Sequence, residues 1–212
     1  MGKVQIIKKS RKENRCRKCG NVIPVGSMYY KGEINFGPTI VRCSECKLES
    51  WEVTTSDYTL SVGPIIYHYA DNYDMSQDGL DELVSNLEEI RDDLQDRLDN
   101  MPESLQYGPT GELLQERIDG LDSAISDLES VDVESLKQDY LDEYIDEWKA
   151  LLKPADALDD LDADDIPALE SFDSAIDALT KLGETDIVDE AKNEIEEAIS
   201  ENIQEAIGSI VE

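Results

Sequence analysis

From Asp78 onward, apolar residues recur at alternating steps of three and four. Leu80, Leu83, Leu87, Ile90, Leu94 and Leu98 form one series; Leu114, Ile118, Leu121, Ile125 and Leu128 form a second. This spacing puts each series on one stripe of an α-helix, a coiled-coil seam of about three heptads. Between them, Asn100 to Gly111 holds Pro102, Gly108 and Pro109, which stop one helix and start the next. So short a connection predicts an antiparallel helical hairpin. A third helix is predicted over 134–152, with Leu136, Tyr140, Ile145, Trp148 and Leu152 inward. Packed on the hairpin it would close a slender three-helix bundle. Pro154 to Pro167 carries six aspartates and reads as a charged, extended linker. Two more helices are predicted, over 168–182, ended by Gly183, and over 186–210. Leu169, Phe172, Ile176 and Leu179 line the first; Val188, Ala191, Ile195, Ala198, Ile199, Ile203 and Ile207 line the second.

The first fifty residues have a different rhythm. Val25 to Lys31 and Thr39 to Arg42 predict two short strands, with Gly32 to Pro38 turning between them. Val22, Ile23, Met28, Tyr30, Ile34, Ile40 and Val41 supply a small core. So few apolar groups cannot hold a unit of ~50 residues alone, so its folding is expected to depend on a metal. Residues 53–77, rich in β-branched residues and tyrosine and broken by Gly63-Pro64, read as an ordered connector packed on this unit. The expected fold class is α+β: a small four-cysteine zinc finger, treble clef or zinc ribbon, followed by an elongated, acidic, all-α region with helical hairpins. The expected divisions are a finger domain over 1–60, a connector over 61–77, a helical bundle over 78–153, the linker over 154–167 and a C-terminal helical pair over 168–212.

The chemistry lies in the cysteines. The chain has four, as Cys16-x2-Cys19 and Cys43-x2-Cys46. Two such knuckles in one small unit are the spacing of a single tetrahedral zinc site, because each knuckle aims two sulfurs at one ion. Four protein ligands leave no position for a water, so the expected cofactor is one structural Zn²⁺ rather than a catalytic one. Met1 to Arg17 is basic and has no apolar stretch of a secretory signal, so disulfides are not expected and an intracellular, cytoplasmic location is. If a strand follows Cys46 the finger is a ribbon. If a helix starts there, through Leu48 and Trp51, it is a treble clef, the reading the sequence favours slightly.

Charge divides the chain in the same place. Residues 1–50 hold 11 Lys/Arg against 4 Asp/Glu, whereas residues 51–212 hold 8 against 46. Lys8, Lys9, Arg11, Lys12, Arg15, Arg17 and Lys18 crowd the first knuckle, with Tyr29 and Tyr30 nearby for stacking. They suit nucleic-acid phosphates; a solvated tail, or a cation docked on the protein's own acidic body, gives the same pattern. The acidic helices have three readings: a solvated face, adaptation to molar salt, and mimicry of DNA phosphates. The lone His68 reads as a packing residue rather than a fifth ligand or a base. Gly108-x2-Gly111 reads as turns, because no Gly-Lys-Ser/Thr follows. No membrane span is expected without an 18-residue apolar run. Neither enzymatic activity nor a small-molecule substrate is expected.

With Lys9-Ser10-Arg11 before Cys16-Arg-Lys-Cys19 and Ile23-Pro24 after it, residues 8–46 resemble the zinc fingers of poly(ADP-ribose) polymerases. The resemblance implies binding to DNA breaks. It departs where that family has His-x2-Cys, since Cys43-x2-Cys46 stands here at a shorter spacing. A small basic finger joined to acidic helices also resembles proteins of tailed viruses. The function expected is a zinc-dependent module binding nucleic acid or a protein, with the helices as interaction or homo-oligomerisation arm. The alternatives are a DNA-mimic inhibitor acting through residues such as Asp92, Asp93, Asp96 and Asp99, and an assembly component, for instance of a virion.

Overall fold

The structure, a computed structural model, describes residues 3–34, 37–152, 169–208 and 210. It divides into two compact units, one through Asn72 and one from Tyr73 on.

In the first unit, β1 (Lys3–Ile7), β4 (Tyr29–Glu33) and β5 (Thr39–Cys43) form an antiparallel sheet in the order β1-β4-β5. Ile6 lies opposite Tyr30, and Tyr30 opposite Arg42. A separate hairpin pairs β2 (Asn14–Arg15) with β3 (Val22–Ile23). After Cys46 comes neither a strand nor an immediate helix. Residues 47–49 are irregular, Ser50–Glu52 make one 3-10 turn, and helix α1 runs over Asp57–Asn72. Ser56 caps α1, its Oγ accepting the Thr59 amide at 3.3 Å.

This helix replaces the expected connector over 61–77. The helix crosses both the boundary at residue 60 and Gly63-Pro64. Gly63 is needed because the Trp51 ring lies where its Cβ would stand, 2.4 Å from the nearest ring atom. The helix departs from helical geometry at His68, whose carbonyl accepts from Asn72 Nδ2 at 2.8 Å. Burial also differs from expectation. Of the predicted core only Ile23 is buried, whereas Val22 and Met28 are exposed. The core is instead Leu48, Val53, Tyr58, Val62, Ile65 and Tyr69, brought by α1 and the segment before it. Leu48 and Val53 press on the sheet at Gly32, where any Cβ would collide with them.

The second unit holds α2 (Gln77–Asp99), α3 (Glu103–Gln106), α4 (Pro109–Glu129), α5 (Val133–Leu152), α6 (Phe172–Leu182) and α7 (Thr185–Ile207). Ser76 caps α2 by accepting the Gly79 amide, and Gly183 ends α6 at φ 88°, a conformation that favours glycine. Helices α2 and α4 are the predicted antiparallel hairpin. Leu83, Leu87, Leu121 and Leu128 are fully buried along its seam, and Arg91 on α2 reaches Asp122 on α4 at 3.5 Å.

The expected three-helix bundle is not formed by these two and α5. Helix α5 packs mainly on α6 and α7, while α7 also lies against α4. The reason is aromatic. Trp148 is buried within 6.0 Å of both Tyr140 and Phe172, and Phe172 meets Tyr140 edge-on at 5.8 Å. Lys137 of α5 adds an ion pair to Asp173 of α6 at 3.3 Å. The helices on either side of 154–167 therefore belong to one unit rather than to two domains. The predicted linker itself lies outside the described residues. No helix among the described residues is long and apolar enough to cross a membrane.

Trp148→Ala removes the centre of the α5–α6 contact and should lower unfolding stability by about 3–5 kcal/mol in urea melts. The acidic faces repel one another, and the Debye length shrinks from ~30 Å at 0.01 M salt to ~3 Å at 1 M. Helical melting temperature should therefore rise with added KCl, which circular dichroism reads directly.

Candidate metal centre

The first knuckle grows out of the β2–β3 hairpin. Arg15 pairs with Val22, and the Cys16 amide donates to the Asn21 carbonyl at 2.9 Å. The Gly20 amide turns back to the Cys16 carbonyl at 3.0 Å, with Gly20 at φ 74°, so the knuckle needs glycine there. The second knuckle begins at Cys43, the last residue of β5, and the Cys46 amide donates to the Cys43 carbonyl at 3.2 Å. A bond from the Arg17 amide to the Val41 carbonyl, 2.9 Å, ties one knuckle to the strand leading to the other.

These bonds bring all four sulfurs within 4.8 Å of one another. Cys19 Sγ and Cys43 Sγ stand 3.8 Å apart. Zn–S bonds of ~2.3 Å in a tetrahedron put sulfurs about 3.8 Å apart, so the cluster has the dimensions of a four-thiolate metal site. All four cysteines are free thiols. Cys16 is buried, Cys43 and Cys46 are half-buried, and Cys19 is exposed.

The thiols titrate unequally. Burial pushes Cys16 up, but backbone hydrogen bonds from Cys19, Cys43 and Lys18 together outweigh it and lower it to about 6. Cys46 is pushed up to about 12, first by its hydrogen bonds with the Cys43 and Cys19 side chains. One thiolate thus forms readily, while further charge in the same small space is opposed. A divalent cation removes that opposition and displaces the protons.

His68 takes no part. Its Nδ1 pairs with Asp71 Oδ2 at 3.1 Å, and its ring meets Trp51 edge-on at 6.3 Å.

The seven predicted cations lie on the segments leading into the first knuckle and within it. Lys8, Lys9, Arg11 and Lys12 lie on the β1–β2 loop, Arg15 on β2, and Arg17 and Lys18 inside the knuckle; all are exposed. None is in an ion pair among the described residues, unlike Arg42, which pairs with Glu52 at 2.6 Å. The loop is pinned through buried Ser10. The Ser10 amide donates to Ser27 O at 2.9 Å, its carbonyl accepts from Gly26 N at 2.8 Å, and Asn14 Nδ2 donates to its hydroxyl at 2.9 Å. Sequence reading missed Ser10 and Asn14; a serine flanked by cations carries no sign that its hydroxyl faces inward. The two tyrosines do not form one stacking platform. Tyr29 and Tyr30 are successive strand residues and point to opposite faces of the sheet.

Comparison with protein-family models, with curated proteins and with solved structures returned no match.

Metal affinity should rise with pH, because the thiols must lose protons to bind. Below about pH 6 even Cys16 is protonated, so chelator competition between about pH 5 and pH 8 should show metal released at the acid end. Cys43→Ser should abolish metal retention and loosen the β2–β3 hairpin, leaving the α1 core in place; amide exchange resolves the two regions.

Proposed function

We propose that the N-terminal unit is a zinc-dependent binding module that grips nucleic-acid phosphates, with the acidic helices as a partner-recognition arm. Four thiolates in a tetrahedral cluster suit Zn²⁺, and four protein ligands give the ion a structural role, so the module binds rather than catalyses. A reducing intracellular compartment suits its free thiols.

The observation that carries the nucleic-acid reading is the set of seven exposed cations, none in an ion pair among the described residues, on the loop held through Ser10, on β2 and within the first knuckle. Cations held on ordered backbone lose little freedom when phosphates arrive, and they release counterions from the nucleic acid. The DNA-mimic reading has less support. Asp92 and Asp93 on α2 are exposed but already paired, with Arg91 at 2.8 Å and Arg97 at 2.7 Å.

The test is a gel-shift series with the zinc-loaded full chain on single- and double-stranded DNA and RNA. Binding should weaken as salt rises, by about 0.9 in the log–log slope per phosphate neutralised on duplex DNA. Arg11→Glu, Arg15→Glu and Arg17→Glu together should abolish binding. Salt-insensitive binding, or none, refutes the reading.

A further inference from the structure

At the closed end of the α2–α4 hairpin, two large apolar side chains stand in solvent. Tyr107 is 80 % exposed and Leu105 52 %. This end is not loose. The Leu105 amide donates to Pro102 O at 2.7 Å and Gly108 N to Leu105 O at 3.1 Å. Gln106 Nε2 ties the turn to Met101 O at 2.8 Å and to Leu98 O at 3.2 Å. The α4 backbone comes so close at Gly111 that a Cβ there would lie 2.0 Å from the Gln106 carbonyl oxygen. A shallow cavity of about 460 Å³ runs beside Tyr107, floored by Leu98 and Gly111 and edged by Asp99 and Glu112. An ordered turn that presents apolar groups inside an acidic rim is the form of an interaction surface.

The chain itself carries a surface of opposite character. Val22, Val25 and Met28 are exposed on the finger, Val25 at 65 %. The Ser10 bonds to Gly26 and Ser27 hold this segment against the loop of Lys8, Lys9 and Arg11. Exposed apolar groups held against a cationic loop on one surface match exposed apolar groups beside Asp99 and Glu112 on the other.

We infer that the hairpin tip is a docking site for the finger of a second copy of this chain. The contact is heterologous, joining the tip of one copy to the finger of another. The net charge of −31 opposes association at low salt. At about 0.15 M, with a Debye length near 8 Å, that long-range repulsion is screened while the short contacts persist.

The experiment is sedimentation of zinc-loaded, nuclease-treated full chain over a concentration series in about 0.15 M salt. Nuclease treatment keeps bridging by nucleic acid from imitating assembly, so this result is independent of the proposed phosphate grip. The tip variant carries Leu105→Glu and Tyr107→Glu; the finger variant carries Val25→Glu and Met28→Glu. All four sites are exposed, and unchanged circular dichroism verifies that each variant folds. Neutral Leu105→Gln with Tyr107→Ser separates loss of apolar contact from added charge. The wild-type mass should climb above the 23.8 kDa of one chain, and each variant alone should stay at one chain. The tip and finger variants mixed should form a 1:1 pair, since each keeps the surface the other lacks. The neutral tip variant should also fail to self-associate. A wild type that remains monomeric, association that survives the tip variants, or variants that do not complement each other overturns the inference.

Discussion

Four thiols held within 4.8 Å of one another are the constraint on which the finger depends. Two short turns and a two-residue-per-strand hairpin supply their geometry, and these are weak by themselves. The low Cys16 and high Cys46 titrations are two sides of one fact: the cluster accommodates one negative charge easily and resists more. A bound cation turns that resistance into cohesion. A metal held there would nevertheless have a narrower task than the sequence implies. The apolar core of Leu48, Val53, Tyr58, Val62, Ile65 and Tyr69 joins the sheet to α1 without it. What lacks such a core is the knuckle region, and that is where the cations are displayed.

Charge is the second organising feature. The finger collects cations on ordered loops, and the helices bury aliphatic stripes while their outer faces are carboxylate-rich. Within the helical unit Arg91 joins α2 to α4 and Lys137 joins α5 to α6, whereas Arg97 and Lys181 pair within their own helices. Exposed pairs of this kind contribute little each, so cohesion there comes from the leucine seam and the aromatic cluster around Trp148. The carboxylates outside those pairs repel one another and are screened by salt.

Much of this was legible in the sequence because it is periodic or local. The cysteine spacing, the leucine seam of α2 and α4, and the glycine that ends α6 each depend on residues close together in the chain. Helix α1 was not legible. Its tyrosines and β-branched residues carry strand preference, and Gly63-Pro64 imitates a turn. Packing of Trp51 over Gly63 decides the matter, and that contact spans twelve residues. The partners of α5 were hidden for a similar reason. Its apolar stripe shows that it packs, but only the match of Tyr140 and Trp148 to Phe172, across more than twenty residues, shows on what. Exposure of Val22 was missed because a short strand with one buried neighbour looks the same from either face, and that of Met28 because the strand expected from Val25 begins only at Tyr29.

Metal content is the most direct test of the four-thiolate centre. Elemental analysis of the full chain, purified without added metal and under reducing conditions, should find one zinc ion per chain, lost when the cysteines are replaced by serine. Protein that is folded, fully reduced and free of both zinc and iron would contradict it.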